Sequence, residues 1–307
     1  MSIQVVLHQM VIIFILMLLG YLVYKKGIIN DVSTKHISGL IINLFNPALL
    51  ISSSISENRQ ATTKDILITL LVAISMFVIL MILGTIMPFI LKAPKKNSYV
   101  YTLMTIFGNI GFMGIPITAA LFGREAVIYV SVFNLPYNIL IYTYGTHLIK
   151  KNSPNPIGSF HLKDIINIGT ISSFIAIFLF LLNPPIPDVL RDTVEIVGGT
   201  TTCLSMMVVG VSLAKFPMKD IFNNGRIYLF TMLRLLLLPI LAAIFLKGFF
   251  QNDVMFGVTI LMLSMPAGSL PALLSEELGV DSTQLSRGIL LTTILSLVTI
   301  SMVCTML

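Results

Sequence analysis

The sequence has no tryptophan, two cysteines, four histidines and few charges, and each scarcity removes a class of protein. Only 10% of the residues are charged, against about 25% in soluble domains. This chain therefore cannot cover a globule with polar surface. Cys203 and Cys304 both fall inside apolar stretches. They read as small core hydrophobes rather than as a disulfide or metal pair. The histidines lie at or near the ends of apolar stretches and make no spaced metal set, so no metal and no cofactor is expected. No Ser-His-Asp, Cys-His or metal constellation can be assembled, which makes an enzyme the least favoured class. The excess of basic residues gives a net charge of +6. That suggests a nucleic-acid partner only if the location of the charges is ignored.

What the sequence does have is length of apolar run. Hydrophobic residues make up 56% of 307, and apolar stretches of about 20 residues, enough to cross a hydrocarbon core of about 30 Å, recur throughout. The fold class expected is an all-α polytopic membrane protein; a transmembrane barrel would need short alternating strands instead. Ten spans are read at about 5–24, 36–56, 66–91, 98–123, 126–149, 162–183, 189–214, 226–247, 254–278 and 284–306. The first, Val5–Tyr24, lacks a basic leader and is long enough to span, so no cleavable signal is expected.

Charge location then orients the chain. Connections 1–2, 3–4, 5–6 and 7–8 hold Lys25, Lys26 and Lys35; Lys92, Lys95 and Lys96; Lys150, Lys151 and Lys163; and Lys215, Lys219 and Arg226. The opposite loops hold Arg59, Lys64, Arg124, Arg191, Lys247 and Arg287, and Arg234 lies within a span. Twelve against six puts the first set in the cytoplasm. Both termini then fall on the external side of a cytoplasmic membrane.

The polar stretch 150–164, KKNSPNPIGSFHLKD, divides the spans into five and five. An odd number per half inverts the second half, 151–307, relative to the first, 1–150. Interruptions recur at matching places. The fourth span carries GNIGFMGIP and the ninth SMPAGSLP, with Pro116 and Pro271 separated by 155 residues. Glycine costs about 1 kcal/mol and proline about 3 kcal/mol relative to alanine inside a helix. Paired interruptions of this sort point to the binding site of a transporter. Spans 4 and 9 are therefore expected to be discontinuous and to meet near the midplane. Unpaired amides at the start of each new half-helix would make an anion site there. The opposing reading is an ordinary proline kink with small residues for helix packing.

Four segments resemble the signature segments of the auxin efflux carrier family: NLFNPALLISS (43–53), FGNIGFMGIPITAALFGREAV (107–127), VGGTTTCLSMMVVGVSLA (197–214) and MPAGSLPALLSEELGVD (265–281). The similarity covers essentially the whole chain. The resemblance implies a ten-helix 5+5 inverted repeat related to bile-acid symporters and sodium/proton antiporters. It implies a scaffold of helices 1, 2, 6 and 7, a transport unit of helices 3–5 and 8–10, crossing helices 4 and 9, and a homodimer formed through the scaffold. It implies substrates among organic anions: auxin in plants, malate, malonate or similar carboxylates in bacteria. The compact 5–6 loop resembles bacterial members and departs from the long loop of many plant carriers.

Candidate substrate-binding residues are Gly108, Asn109, Gly114 and Pro116 in the fourth span and Ser264, Pro266, Ser269 and Pro271 in the ninth. Asn134 and Asn138 share one helical face in the fifth span and read as lining the pocket or as holding helices together by interhelical amide bonds. Asn46 in the second span reads as lining the path or as backbone satisfaction around a break. Arg234 reads as neutralising a carboxylate or pairing with an acid, or as snorkelling to the cytoplasmic face. Glu195 reads as a proton carrier or as a marker of the outer end of the seventh span, and Thr200, Thr201 and Thr202 as lining the path, as oxygens for a coupling sodium ion, or as backbone satisfaction around a break. The function read from these residues is a secondary transporter of a small organic anion, coupled to a proton or sodium ion. A cation exchanger of the same fold and a ligand-binding membrane sensor are the rivals.

Overall fold

The computed structural model describes residues 3–55, 61–152, 166–215, 225–278 and 280–305. Arg59, Lys163, Lys219 and most of the 150–164 stretch lie outside the described residues. In chain order the helices are α1 (Ile3–Lys25), α2 (Asp31–Ser54), α3 (Thr63–Ile90), α4 (Ser98–Ile106), α5 (Ile110–Phe122) and α6 (Arg124–Lys151). They continue as α7 (Ile168–Leu182), α8 (Asp188–Ala214), α9 (Gly225–Leu246), α10 (Asp253–Ser264), α11 (Leu270–Glu277) and α12 (Thr283–Cys304). Seven of these are long and apolar enough to cross a membrane, and three shorter apolar helices, α5, α7 and α10, fall in the fourth, sixth and ninth spans. No strand longer than one isolated bridge occurs among the described residues.

Local signals fix the helix ends. Asn30 caps α2 by accepting from the Ser33 amide at 2.9 Å, and Asn167 caps α7 by accepting from the Thr170 amide at 3.1 Å. Thr62 and Asp65 form a reciprocal capping box at the start of α3. Three helices carry a wider turn just before a proline. Asn46, Ile115 and Leu238 each donate to the carbonyl five residues back, at Ile41, Ile110 and Leu233. The next residue in each case is Pro47, Pro116 or Pro239. A proline ring clashes with the carbonyl four residues before it, and widening the turn relieves the clash without breaking the helix. Pro116 and Pro271 therefore sit in the first turns of α5's regular part and of α11, where a missing amide costs little. The breaks themselves lie earlier, at 107–109 and 265–269.

Glycines set how closely the helices approach. A methyl group built on Gly20 of α1 would lie 2.0 Å from the Met207 carbonyl oxygen of α8. One built on Gly210 of α8 would lie 1.8 Å from that of Met17. One built on Gly198 of α8 would lie 2.9 Å from the Leu49 Cα of α2. In a membrane, where lipid is as apolar as leucine, such backbone contact is a main source of helix association. At one end of the molecule Asn252, just before α10, donates to Tyr129 Oη at 3.0 Å and to Asp65 at 3.4 Å, tying α10 to α6 and α3. Phe89, Val189, Ile196 and Phe249 face outward, as a lipid-facing surface requires.

Gly210→Ala is expected to destabilise the protein by about 3 kcal/mol, because neither backbone can yield at that contact. Gly39→Ala, whose added methyl meets nothing within 4 Å, is expected to leave stability unchanged or raised by up to about 1 kcal/mol. Thermal unfolding of the two variants in detergent checks both outcomes.

Candidate functional site

Two interrupted helices meet through their backbones. After α4 the chain is extended at Phe107, and after α10 it is extended at Met265. The two extended pieces run antiparallel, with Gly108 facing Ala267. The Asn109 amide donates to the Pro266 carbonyl at 2.8 Å, and the Gly268 amide donates to the Phe107 carbonyl at 2.8 Å. The Ala267 amide donates to Thr292 Oγ1 of α12 at 3.2 Å. Backbone groups freed by the breaks are thus paired inside protein, the condition for irregular chain at membrane depth. A methyl on Gly268 would sit 2.8 Å from the Gly108 oxygen, and one on Gly108 would sit 3.3 Å from the Met265 Cβ. Only glycine permits this approach at 268.

Arg234 holds the other side of the meeting point. It lies in the widened turn of α9 that precedes Pro239, and it is 1% exposed. Its Nε donates to the Thr105 carbonyl at 2.8 Å, and its Nη1 donates to the Leu263 carbonyl. Those carbonyls belong to the last turns of α4 and α10, which have lost their intrahelical partners. The side chain therefore neither snorkels to the surface nor pairs with an acid. It satisfies two helix C-termini, where a cation is also electrostatically favoured, and the forked geometry of guanidinium lets one side chain serve both.

A cavity of about 160 Å³ lies against the start of α5 and α11. Asn46, Asn109, Asn134, Asn138 and Ser269 line it, with Tyr137, Tyr142, Asn167, Gly169 and Ser172, which sequence reasoning missed. Asn167 falls inside the span read at 162–183 and is the cap of α7. Gly268 was missed as well, although it sits inside the MPAGSLP segment. Asn109 is 5% exposed, and its Oδ1 accepts from the Phe112 amide at 3.2 Å. Asn46 Nδ2 donates to the Gly111 carbonyl at 3.3 Å, while its Oδ1 is buried without a partner. Asn138 Nδ2 donates to the Asn134 carbonyl at 2.8 Å. A larger space of about 830 Å³ shares Asn109, Phe112 and Ser269 with the first cavity and extends to Asp31, Lys35 and Lys215. Asp31 and Lys215 pair at 2.7 Å at its mouth.

The remaining candidates stand apart from both cavities. Ser264 Oγ donates to the Ile260 carbonyl of its own helix at 2.8 Å. Gly108, Gly114, Pro116, Pro266 and Pro271 shape the backbone and line neither space. Glu195 is ion-paired with Arg124, and both side chains are substantially exposed. Thr200 Oγ1 donates to the Ile196 carbonyl at 3.3 Å, Thr202 is half-buried, and Thr201 Oγ1 is buried without a partner. Cys304 is buried as expected, but Cys203 is exposed on α8.

An all-helical, multi-pass membrane protein with a polar cavity set against two interrupted helices has the construction of a membrane transporter. A model of the family described as membrane transport protein matches residues 5–304, and the chain belongs to that family, the auxin efflux carriers. It is similar to an uncharacterized transporter of Methanothermobacter thermautotrophicus, 25% identical over 295 residues and 94% of each chain. It is equally similar to an uncharacterized transporter of Methanocaldococcus jannaschii, 25% identical over 310 residues and 95% of each chain.

Arg234→Met is expected to orphan the Thr105 and Leu263 carbonyls, at about 1–3 kcal/mol each. Arg234→Lys, which offers a single ammonium in place of the fork, is expected to recover part of that loss. Unfolding midpoints of the three proteins in detergent, ranked wild type above Lys above Met, are the check.

Proposed function

We propose that the protein is a secondary active transporter of a small organic anion, a mono- or dicarboxylate such as malate or malonate, with auxin-like acids less favoured. The observation that carries this reading is the cavity at the start of α5 and α11. It offers amide side chains and helix N-termini, and no carboxylate is among the described residues that line it. Helix N-termini attract anions, and the lack of an acidic ligand favours an anion carrier over a cation exchanger of the same fold.

In this reading the ten spans form a 5+5 inverted repeat, 1–150 and 151–307, with spans 4 and 9 crossing at Gly108 and Ala267. Spans 1, 2, 6 and 7 act as a scaffold through which two copies dimerise, and spans 3–5 and 8–10 move against it. The protein lies in the cytoplasmic membrane in this reading, and the basic loops favour both termini outside. The larger space reaches Lys35 and Lys215, on the cytoplasmic side of that topology. On that topology the larger space opens inward, and the Arg124–Glu195 pair lies toward the outer end. A proton or sodium ion serves as coupling ion, and Thr201, whose buried hydroxyl has no partner, is the oxygen best placed to feel it.

Asn109 provides the direct test. Asn109→Asp keeps the acceptor that caps Phe112 and adds a negative charge where the guest should bind. Counterflow of radiolabelled malonate or lactate in proteoliposomes is expected to fall at least tenfold in this variant and in Asn109→Ala, with normal expression. Transport at the wild-type rate in both would remove Asn109 from the site.

A further inference from the structure

We propose that Arg124 and Glu195 form a latch, an ion pair across the boundary between the moving unit and the scaffold that favours the arrangement with the larger space open. The inference rests on the proposed division into scaffold and moving unit. It adds the contact by which one arrangement is held over the other.

Arg124 opens α6 directly after Gly123, whose φ of +90° lets the chain turn sharply between α5 and α6. Its Nη1 is ion-paired with Glu195 Oε1 of α8. A methyl group built on Gly199 would lie 3.1 Å from Arg124 Nη2. The guanidinium thus rests against bare backbone one turn beyond Glu195, on the same face of α8. Glu195 and Gly199 together make a notch for it, one supplying the charge and the other the room. The turn that carries Arg124 also packs on the Asn46–Ser54 part of α2.

Placement gives the pair its consequence. Arg124 stands where spans 4 and 5 join, on the moving side, and Glu195 belongs to span 7, on the scaffold side. The Asp31–Lys215 pair joins α2 to α8, and the Arg191–Asp188 pair lies within α8. Both stay inside the scaffold and survive a displacement of one unit against the other. Arg124–Glu195 does not, because its partners sit on opposite sides of the boundary. Sliding the moving unit carries the guanidinium off Glu195 and off Gly199 together. The two side chains are 42% and 52% exposed, so salt screens the pair, and its bias on the equilibrium is at most about fivefold. A latch of that strength slows the cycle without stopping it.

The test uses the full-length protein carrying Cys203→Ala and Cys304→Ala, in inverted membrane vesicles. The reporter is Gly39→Cys, in the wall of the larger space, where an added methyl meets nothing within 4 Å. A membrane-impermeant maleimide labels it from the cytoplasmic face, with no substrate present. Glu195→Arg, which sets two cations together, is expected to slow labelling at least threefold, whereas an unfolded variant would label faster. Adding Arg124→Glu to it restores the pair with its charges exchanged and is expected to restore the rate. Gly199→Leu, which fills the notch without changing the charge, is expected to slow labelling about twofold. Equal labelling in all these proteins, or slowing by Glu195→Arg that the exchange does not relieve, would overturn the latch whatever the protein carries. In a second arm, Arg124→Cys and Glu195→Cys are joined by a short reducible crosslinker. Counterflow of malonate or lactate is expected to fall at least tenfold and to return on reduction. Undiminished counterflow in the crosslinked protein would overturn the latch and leave the carrier reading standing. No counterflow before crosslinking would count against the carrier reading, and the labelling arm would still decide the latch.

Discussion

The structure around the break depends on one buried guanidinium bonded to two carbonyls. Interrupting a helix in an apolar surrounding strands its last carbonyls, and two such ends lie side by side here. Arg234 reaches Thr105 with Nε and Leu263 with Nη1, so one side chain closes both. With that done, the extended residues between the half-helices can pair with each other through Asn109, Pro266, Gly268 and Phe107. The N-terminal ends of α5 and α11 are then left facing a cavity and not a charge. Asn46, Asn109, Asn134, Asn138 and Ser269 line that cavity.

The backbone devices that allow this arrangement share a logic. Prolines are accommodated by a widened turn before them, at Pro47, Pro116 and Pro239, and so bend helices without breaking them. Glycines are used where two backbones must touch: Gly20, Gly198 and Gly210 between α1, α2 and α8, and Gly268 where the extended segments pair. Widened turns also rotate the side chains that follow, and both Asn46 and Arg234 sit in or beside one. The polar groups that matter are thus placed by backbone geometry more than by sequence spacing.

Much of this was legible beforehand, because composition and periodic interruption are strong signals in a membrane protein. The apolar spans and the two broken helices follow from hydropathy and from GNIGFMGIP and SMPAGSLP. Asn46, Asn109, Asn134, Asn138 and Ser269 do line one cavity. Other residues were not legible. The role of Arg234 depends on which carbonyls of α4 and α10 end up beside α9, and no spacing encodes that. Glu195 could be told from a buried acid only by its contact with Arg124, 71 residues away. Ser264 looked equivalent to Ser269, yet being inside the last turn of α10 it bonds back onto its own helix. The prolines drew attention to the right segments for a reason that placed the breaks a few residues too late.

A positive end built from fixed dipoles travels with the chain and cannot dissociate. Unlike a lysine in the same place it does not titrate, so the field it sets at the cavity is the same at every pH at which the fold holds.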